Sequence, residues 1–231
     1  MQNRINWIDV VRGIGILLVI LGHCQNPLFY LIFYAFHMPL FFFISGYCTS
    51  NTRKGYKNYL YLIKEYFVWT IINLLLQLSL EMYQSRALFT EDMLSYIKKS
   101  LIGIIYSAPS MDWLPVCTPL WFLPCVFLAK IIFEYVLRHE KAWRLVILFF
   151  VLGVFCSYIK VPYFETLPWN INVAFLAQIY MYIGYLYRQN SVLEKLNGIK
   201  AFCFGVLGVI GASINGQVNL AGRLFGKSIL I

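Results

Sequence analysis

The chain has 231 residues, of which 60% are hydrophobic and 13% are charged, and its mean hydropathy is +0.68. Soluble domains carry roughly 25% charged residues, so the composition excludes a soluble globular domain and indicates an integral membrane protein. The net charge of +9 does not indicate a nucleic-acid partner, because the basic residues stand in short loops between apolar segments, where they determine membrane topology.

Seven segments of the sequence are long enough to cross a hydrocarbon core, which takes about 20 residues. They lie at 7–25, 28–48, 59–82, 115–137, 143–160, 170–187 and 199–214. A shorter segment, 93–107, carries the adjacent residues Lys98 and Lys99 and is predicted to be an interfacial or re-entrant helix. The sequence therefore predicts an all-α fold, a polytopic transmembrane helical bundle that forms one domain over residues 1–231.

The distribution of basic residues predicts the orientation of this bundle, because cytoplasmic loops are enriched in Lys and Arg. With a cytoplasmic N-terminus, the cytoplasmic loops hold basic residues at 53, 54 and 57, at 138, 141 and 144, and at 188, 195 and 200. The sequence thus predicts a multi-pass protein of the plasma or inner membrane. Arg12 inside the first apolar segment and the lack of an A-x-A-like site argue against a cleaved signal peptide.

The first predicted span contains ionisable groups within "VVRGIGILLVILGHC", residues 10–24. Arg12 and His23 lie on one stripe of a helix, because eleven residues turn it by about 1100° and advance it by about 16 Å. Asp9 stands three residues before Arg12, at ion-pair spacing. Two membrane-interface anchors have no reason to share a stripe, whereas two groups that serve one cavity do. The close approach of neighbouring helices or of a thin ligand is expected at the small residues Gly13, Gly15 and Gly22.

The second predicted span places His37 at mid-depth, two residues before Pro39. Proline removes a helical hydrogen bond, which frees the carbonyl group of Ala35 and favours a kink. Two interpretations of His37 remain open. It donates a hydrogen bond to a neighbouring helix, or it is a second polar group in the cavity that Arg12 and His23 share.

These residues carry a family resemblance over nearly the whole chain. The R-x10-H spacing of Arg12 and His23, followed by "FHMPLFFFISGY" at 36–47, resembles the acyltransferase-3 family of integral membrane acyltransferases. The segments "PLWFLPCVFL" (119–128) and "PWNINVAFLAQIYMYIGYLYR" (168–188) are similar to later spans of its fucose 4-O-acetylase-like branch. Such proteins usually have ten spans, so the resemblance implies that the C-terminal spans are missing from a chain that ends at Ile231.

The resemblance implies transfer of an acetyl or other acyl group from acyl-CoA to a hydroxyl of a cell-surface glycan or a lipid-linked sugar precursor. Acetyl-CoA is then a substrate, and no bound cofactor is expected. In the family the arginine and histidine of R-x10-H are needed for activity, which carries over to Arg12 and His23. The Arg-x-x-Arg pair that some members carry in the third span is missing here, and Lys64-Glu65 is the nearest polar feature.

The charges suggest a role for each candidate residue. Arg12, with Lys64, Lys130 and Arg53 at predicted cytoplasmic helix ends, is suited to the phosphates of CoA; for Lys130 the alternative is a simple i, i+4 pair with Glu134. His23 either takes the proton of the acceptor hydroxyl or carries the acyl group itself. Asp9 and His37 are predicted supporting residues.

Other function classes fit the residues of this sequence less well. A proton-coupled transporter also carries intramembrane Asp, His and Lys residues, but the sequence shows no duplicated halves. A serine protease lacks its motif at Ser45, and His23 and His37 do not have the H-E-x-x-H spacing of a zinc peptidase, so no metal site is predicted. An inactive truncated relative of the acyltransferases is the remaining alternative.

Overall fold

The computed structural model describes residues 6–24, 27–49, 55–85, 91–107, 118–159, 161, 166–192, 218–219 and 224–225, without the side chains of 27–32 and 34–36. Its helices are α1 (Asn6–Gly22), α2 (Pro27–Tyr47), α3 (Leu60–Ser85), α4 (Glu91–Tyr106), α5 (Phe122–Val136), α6 (Ala142–Ser157) and α7 (Ile171–Gln189). Short 3-10 turns at Tyr56–Tyr59, Thr118–Trp121 and Pro168–Asn170 precede α3, α5 and α7. Two-residue strands, β1 (Val218–Asn219) and β2 (Leu224–Phe225), pair antiparallel with Val218 opposite Phe225.

The all-α fold class is confirmed for the described residues, apart from that minimal strand pair. Six of the seven predicted spans and the predicted helix at 93–107 coincide with helices. The seventh predicted span, 199–214, lies outside the described residues, as does Arg53. The first-span prediction extends slightly too far, because α1 ends at Gly22.

Two helices within the described part of the chain are long and apolar enough to cross a membrane, Tyr56–Gln84 and Pro119–Val136. α2 has 21 residues and is also strongly apolar in sequence. α6 is shorter: its 16 residues make it about 24 Å long, whereas a hydrocarbon core is about 30 Å thick. On α3, the exposed side chains of Leu75, Leu76 and Leu80 suit a lipid surrounding. The count of seven crossings therefore stays a prediction.

The helices divide into two units, one with α1, α2 and the part of α7 from Ala177 onwards, the other with α3 to α6 and α7 up to Leu176. In the first unit, α1 and α2 pack antiparallel. The Trp7 and Tyr47 rings meet edge to face at 5.2 Å, and a Cβ at Gly15 would lie 3.0 Å from the ring of Phe41. The buried residues of α1 recur every seven positions, at Ile8, Gly15 and Gly22.

The second contact of α2 in this unit is with α7, and two glycines make it possible. A Cβ at Gly46 would overlap the carbonyl oxygen of Met181, and one at Gly184 would overlap that of Phe43. Small residues let helix backbones approach closely, which is how many membrane helices associate. The rings of Phe43 and Tyr187 meet edge to face at 5.4 Å beside this contact.

In the second unit, α3 packs against α4 and α5 around Tyr66. The phenol of Tyr66 is 1% exposed and donates a hydrogen bond to the carbonyl oxygen of Ile104 over 2.7 Å. Partly buried apolar residues surround this pair: Phe67, Leu74, Leu120 and Leu123. The start of α7 lies against α6, where the rings of Phe149 and Phe175 stack at 5.3 Å.

Candidate functional site

Arg12 lies on α1 next to the C-terminal end of α2. Its side chain is 48% exposed, and Nη1 is 3.6 Å from the Asp9 carboxylate, so the ion pair expected from the i, i+3 spacing is present. Nη2 donates a hydrogen bond to Cys48 Sγ over 3.5 Å. The guanidinium group is thus held from two sides and remains accessible, which is the arrangement that anion binding needs.

His23 lies just beyond the last residue of α1. Its backbone N–H continues the helical pattern by donating to the carbonyl oxygens of Val19 and Ile20. The ring Nδ1 is 2.8 Å from the Val19 carbonyl oxygen, which accepts but cannot donate. Nδ1 must therefore carry a hydrogen, and a neutral imidazole then has its lone pair on Nε2. The side chain is exposed.

His37 lies on α2 and is 3% exposed. Its Nδ1–H donates to the carbonyl oxygen of Phe33, one turn earlier on the same helix, over 2.6 Å. His37 and His23 belong to the same unit of the structure. α2 continues as a single helix through Pro39.

The helical wheel of α1 locates Arg12 and His23 relative to its buried face. Both fall roughly 40–60° to one side of Ile8, on the flank of the stripe that α1 buries. The cavity that the two side chains are expected to share stays a prediction. Gly13 differs from the expectation, because a Cβ there would have no atom within 4 Å in the described part of the chain. The close approach is made at Gly15 instead.

Lys64 and Lys130 lie in the second unit. Lys64 is exposed on α3. Lys130 is half-buried on α5, with Nζ 5.2 Å from the centre of the Tyr59 ring, at the distance of a cation–π contact. Glu134 accepts hydrogen bonds from the Tyr59 hydroxyl over 2.5 Å and from the backbone N–H of Gly55 over 3.1 Å. Glu134 thus binds the turn before α3. The alternative interpretation from the sequence, an i, i+4 pair of Lys130 with Glu134, did not predict these two contacts.

Sequence reasoning missed one arginine of the first unit. Arg188, in the last turn of α7, donates a hydrogen bond from Nη1 to the carbonyl oxygen of Tyr47 over 3.1 Å. Tyr47 is the last residue of α2, and its neighbour Cys48 is the partner of Arg12. The sequence offered only one indication of a role for Arg188, its position as a basic residue in the last turn of a helix. It gave no indication of the contact with Tyr47, because the two residues are 141 positions apart.

Sequence reasoning also missed a set of buried polar side chains in the second unit. The Ser157 hydroxyl donates to the Gly153 carbonyl oxygen, so its oxygen can only accept from Asn172 Nδ2, at 3.2 Å. Asn170 Nδ2 donates to the Ser107 carbonyl oxygen over 3.2 Å. Asn170 and Ser107 are fully buried. The two asparagines of "PWNIN", residues 168–172, where the 3-10 turn passes into α7, were the available signal in the sequence.

The described fold is that of a helical membrane protein whose first two helices bring an arginine–aspartate pair and two histidines into one unit. A family model described as an acyltransferase domain matches residues 5–223 of the chain. The chain belongs to the acyltransferase-3 family and is an acyltransferase. Neither the curated proteins nor the solved structures gave a significant match.

Proposed function

We propose that the chain transfers an acetyl or other acyl group from acyl-CoA to a hydroxyl of a cell-surface glycan or of a lipid-linked sugar precursor. It does so as a multi-pass protein of the plasma or inner membrane, with seven spans in residues 1–231 and a cytoplasmic N-terminus. The family match over residues 5–223 supports the acyl transfer. The distribution of basic residues in the loops supports the orientation, and sugar acetylation rests on the resemblance to the fucose 4-O-acetylase-like branch.

Arg12 is the proposed anchor of the donor. Guanidinium groups bind phosphates through paired, charge-assisted hydrogen bonds, and about half of the Arg12 side chain is accessible. Asp9, 3.6 Å away, orients the group and partly neutralises it. Lys64 and Lys130 are proposed as further basic residues for the CoA phosphates.

His23 is the proposed residue for the transfer step, about 16 Å along α1 from Arg12. As a base, Nε2 takes the proton of the acceptor hydroxyl while that oxygen attacks the thioester carbonyl carbon. The C–S bond then breaks, and the protonated His23 gives the proton to the leaving sulfur, so that CoA leaves as the free thiol. In the second route Nε2 attacks the thioester carbon, the C–S bond breaks and CoA leaves as the thiol with the imidazole proton; the acceptor hydroxyl then attacks the acyl group on Nε2, and its proton restores the neutral imidazole. Both routes need the lone pair that the hydrogen bond from Nδ1 to Val19 leaves on Nε2, and His37 supports it from α2.

The role proposed for His23 depends on the hydrogen bond between its Nδ1 and the Val19 carbonyl oxygen. Substitution of His23 tests this role. His23→Ala is expected to lower acetyl transfer by roughly 10²- to 10⁴-fold, the usual contribution of a positioned acid–base group. The measurement is transfer of labelled acetyl groups to surface glycans, read by mass spectrometry. His139→Ala is the matched control, because His139 is an exposed histidine that contacts the Tyr135 ring. Full activity of His23→Ala would remove His23 from the chemistry.

A further inference from the structure

Side chains at the end of α4 and before the start of α7 donate hydrogen bonds to backbone carbonyl groups and so join the two segments. Three hydrogen bonds make this junction: Trp169 Nε1 to the Ile105 oxygen at 2.8 Å, the Tyr106 hydroxyl to the Thr166 oxygen at 2.7 Å, and Asn170 Nδ2 to the Ser107 oxygen at 3.2 Å. We call Ser107, Trp169 and Asn170 the α4–α7 junction. Residues 160–169 form a predicted outer loop, so the predicted topology puts the junction on the side of the membrane where surface glycans are found.

All three junction residues have left-handed backbones. Their φ angles are 57° for Ser107, 53° for Trp169 and 51° for Asn170. This region is unfavourable for residues with a Cβ atom, and asparagine is the only one of the three that visits it readily. Such conformations persist where the surrounding structure imposes them, and they concentrate at functional sites. The backbone of the junction is therefore held in an arrangement that its sequence alone does not favour.

Two buried oxygens of the junction have no hydrogen-bond partner within the described part of the chain: Ser107 Oγ and Asn170 Oδ1. Both residues are 0% exposed. The orientation of the Asn170 amide is fixed, because its Nδ2 faces a carbonyl oxygen, which requires a donor. Asn170 Oδ1 therefore accepts and cannot donate. Buried polar atoms without partners are costly, so the junction calls for a group that supplies hydrogens.

Trp169, the chain neighbour of Asn170, adds an apolar surface to the junction. Its side chain is half-buried, and its ring meets the Phe127 ring edge to face at 6.3 Å. A sugar ring matches this combination, since its hydroxyls donate hydrogen bonds and its C–H face packs on an aromatic ring. A phosphate group does not match, because it brings only acceptors to a place that offers mainly acceptors.

We propose that the α4–α7 junction binds the acceptor sugar of the acyltransferase. Hydroxyls of the sugar donate to Ser107 Oγ and Asn170 Oδ1, and its apolar face lies on Trp169. This inference rests on the proposed function for the identity of the acceptor, while the site itself is defined by the buried oxygens and the strained backbone.

Ser107→Gly is the sharpest test variant. Glycine accepts a φ of 57° without strain and keeps the carbonyl group that binds Asn170, so only the hydroxyl is lost. Ser191→Gly is the matched control, because Ser191 is also left-handed, with a φ of 49°, and lies at the other end of α7. Thermal unfolding of both variants is expected at or above the wild-type temperature.

Two readouts separate the site from the reaction. The first is saturation-transfer NMR of methyl α-L-fucoside, methyl β-D-galactoside and methyl β-D-N-acetylglucosaminide with the full chain in lipid nanodiscs. At least one glycoside is expected to bind to the wild type and to Ser191→Gly, and to bind at least threefold more weakly to Ser107→Gly. The second is the KM of acetyl transfer to the bound glycoside, which is expected to rise roughly three- to tenfold in Ser107→Gly, the loss of one hydrogen bond, with the KM for acetyl-CoA unchanged.

Each result decides one of the two claims. If a glycoside binds the wild type and binds Ser107→Gly more weakly, the result supports the sugar site. It does so even if no acetyl group is transferred and the proposed function fails. Acetyl transfer with an unchanged acceptor KM in Ser107→Gly overturns the site and leaves the proposed function standing. Failure of all three glycosides to bind the wild type also overturns the site.

Discussion

At the residue scale, the position of Arg12 explains why a lysine would not replace it. Its guanidinium group reaches the Asp9 carboxylate with Nη1 and Cys48 Sγ with Nη2, so two separate nitrogens are used at once. The planar group still has further N–H donors for a phosphate. A lysine ammonium offers one compact charge and cannot make these contacts in the same geometry.

Arg12→Lys is therefore expected to weaken acetyl-CoA binding although the charge is conserved. The loss of a charge-assisted hydrogen bond predicts roughly a tenfold rise in the KM for acetyl-CoA, measured with labelled donor at saturating acceptor. Arg144→Lys is the control, because Arg144 is exposed and lies over the Trp143 ring. An unchanged KM for acetyl-CoA in Arg12→Lys would exclude Arg12 from the donor site.

The Tyr59 hydroxyl makes a different kind of contact, between two helices of the second unit. It donates to the Glu134 carboxylate, which also binds the backbone of Gly55. Tyr59→Phe removes the hydroxyl and leaves the half-buried Glu134 carboxylate with one hydrogen-bond partner fewer. Because hydrogen bonds to charged groups contribute roughly 1.5–3 kcal/mol, we expect the free energy of unfolding to fall by about 1–2 kcal/mol. Thermal unfolding in detergent measures this, and Tyr61→Phe, on an exposed tyrosine, is expected to show no loss.

At the element scale, the contact between α2 and α7 depends on the absence of side chains. A Cβ at Gly46 would overlap the backbone of Met181, and a backbone atom cannot move aside as the end of a flexible side chain can. The Tyr47 carbonyl, at the end of α2, is then bound by Arg188 of α7. The two helices are thus joined both by close backbone packing and by a polar contact at one end.

Gly46→Ala is expected to lower the free energy of unfolding by about 3 kcal/mol or more, the upper part of the usual cost of overpacking a filled interior, because the added methyl group meets backbone atoms. The matched control is Gly13→Ala, whose added methyl group meets open space in the described part of the chain. Alanine favours a helix over glycine by up to about 1 kcal/mol, so Gly13→Ala should be neutral or slightly stabilising. Equal unfolding temperatures for both variants in detergent would contradict the close contact of α2 and α7.

At the scale of the whole molecule, the basic residues of the loops predict the orientation in the membrane. Basic residues follow the second, fourth and sixth predicted spans, and translocating them is unfavourable. Substitution of Asn26→Cys or Lys141→Cys in a cysteine-free background tests this arrangement. A membrane-impermeant maleimide is expected to label position 26 in intact cells, and position 141 only after permeabilisation. The reverse pattern would refute the predicted topology.

Several features of the candidate site followed from the sequence because they are local. The Asp9–Arg12 contact depends on a spacing of three residues along one helix. The shared flank of Arg12 and His23 follows from helical geometry alone. The hydrogen bonds of His23 and His37 to carbonyls four residues earlier are also local, but the sequence analysis did not predict them, and for His37 it considered a bond to a neighbouring helix.

Contacts between distant residues were not predictable in this way. The sequence does not distinguish Gly13, which is open, from Gly15, which meets Phe41, because both lie on the same apolar helix. Ser107 and Asn170 are 63 positions apart, and each is an unremarkable polar residue near a helix end. Their partnership depends on where α4 and α7 end in space.

The sequence by itself determined the helical class, the positions of most helices, the i, i+3 ion pair and the family, since hydrophobic length, helical period and motif spacing are all properties of neighbouring residues. Only the tertiary structure decided which glycines let α2 and α7 meet, that Glu134 binds the turn before α3, and that two buried oxygens at the α4–α7 junction have no hydrogen-bond partner in the described part of the chain. These depend on side chains of separate helices packing together, and a linear pattern carries no measure of that packing.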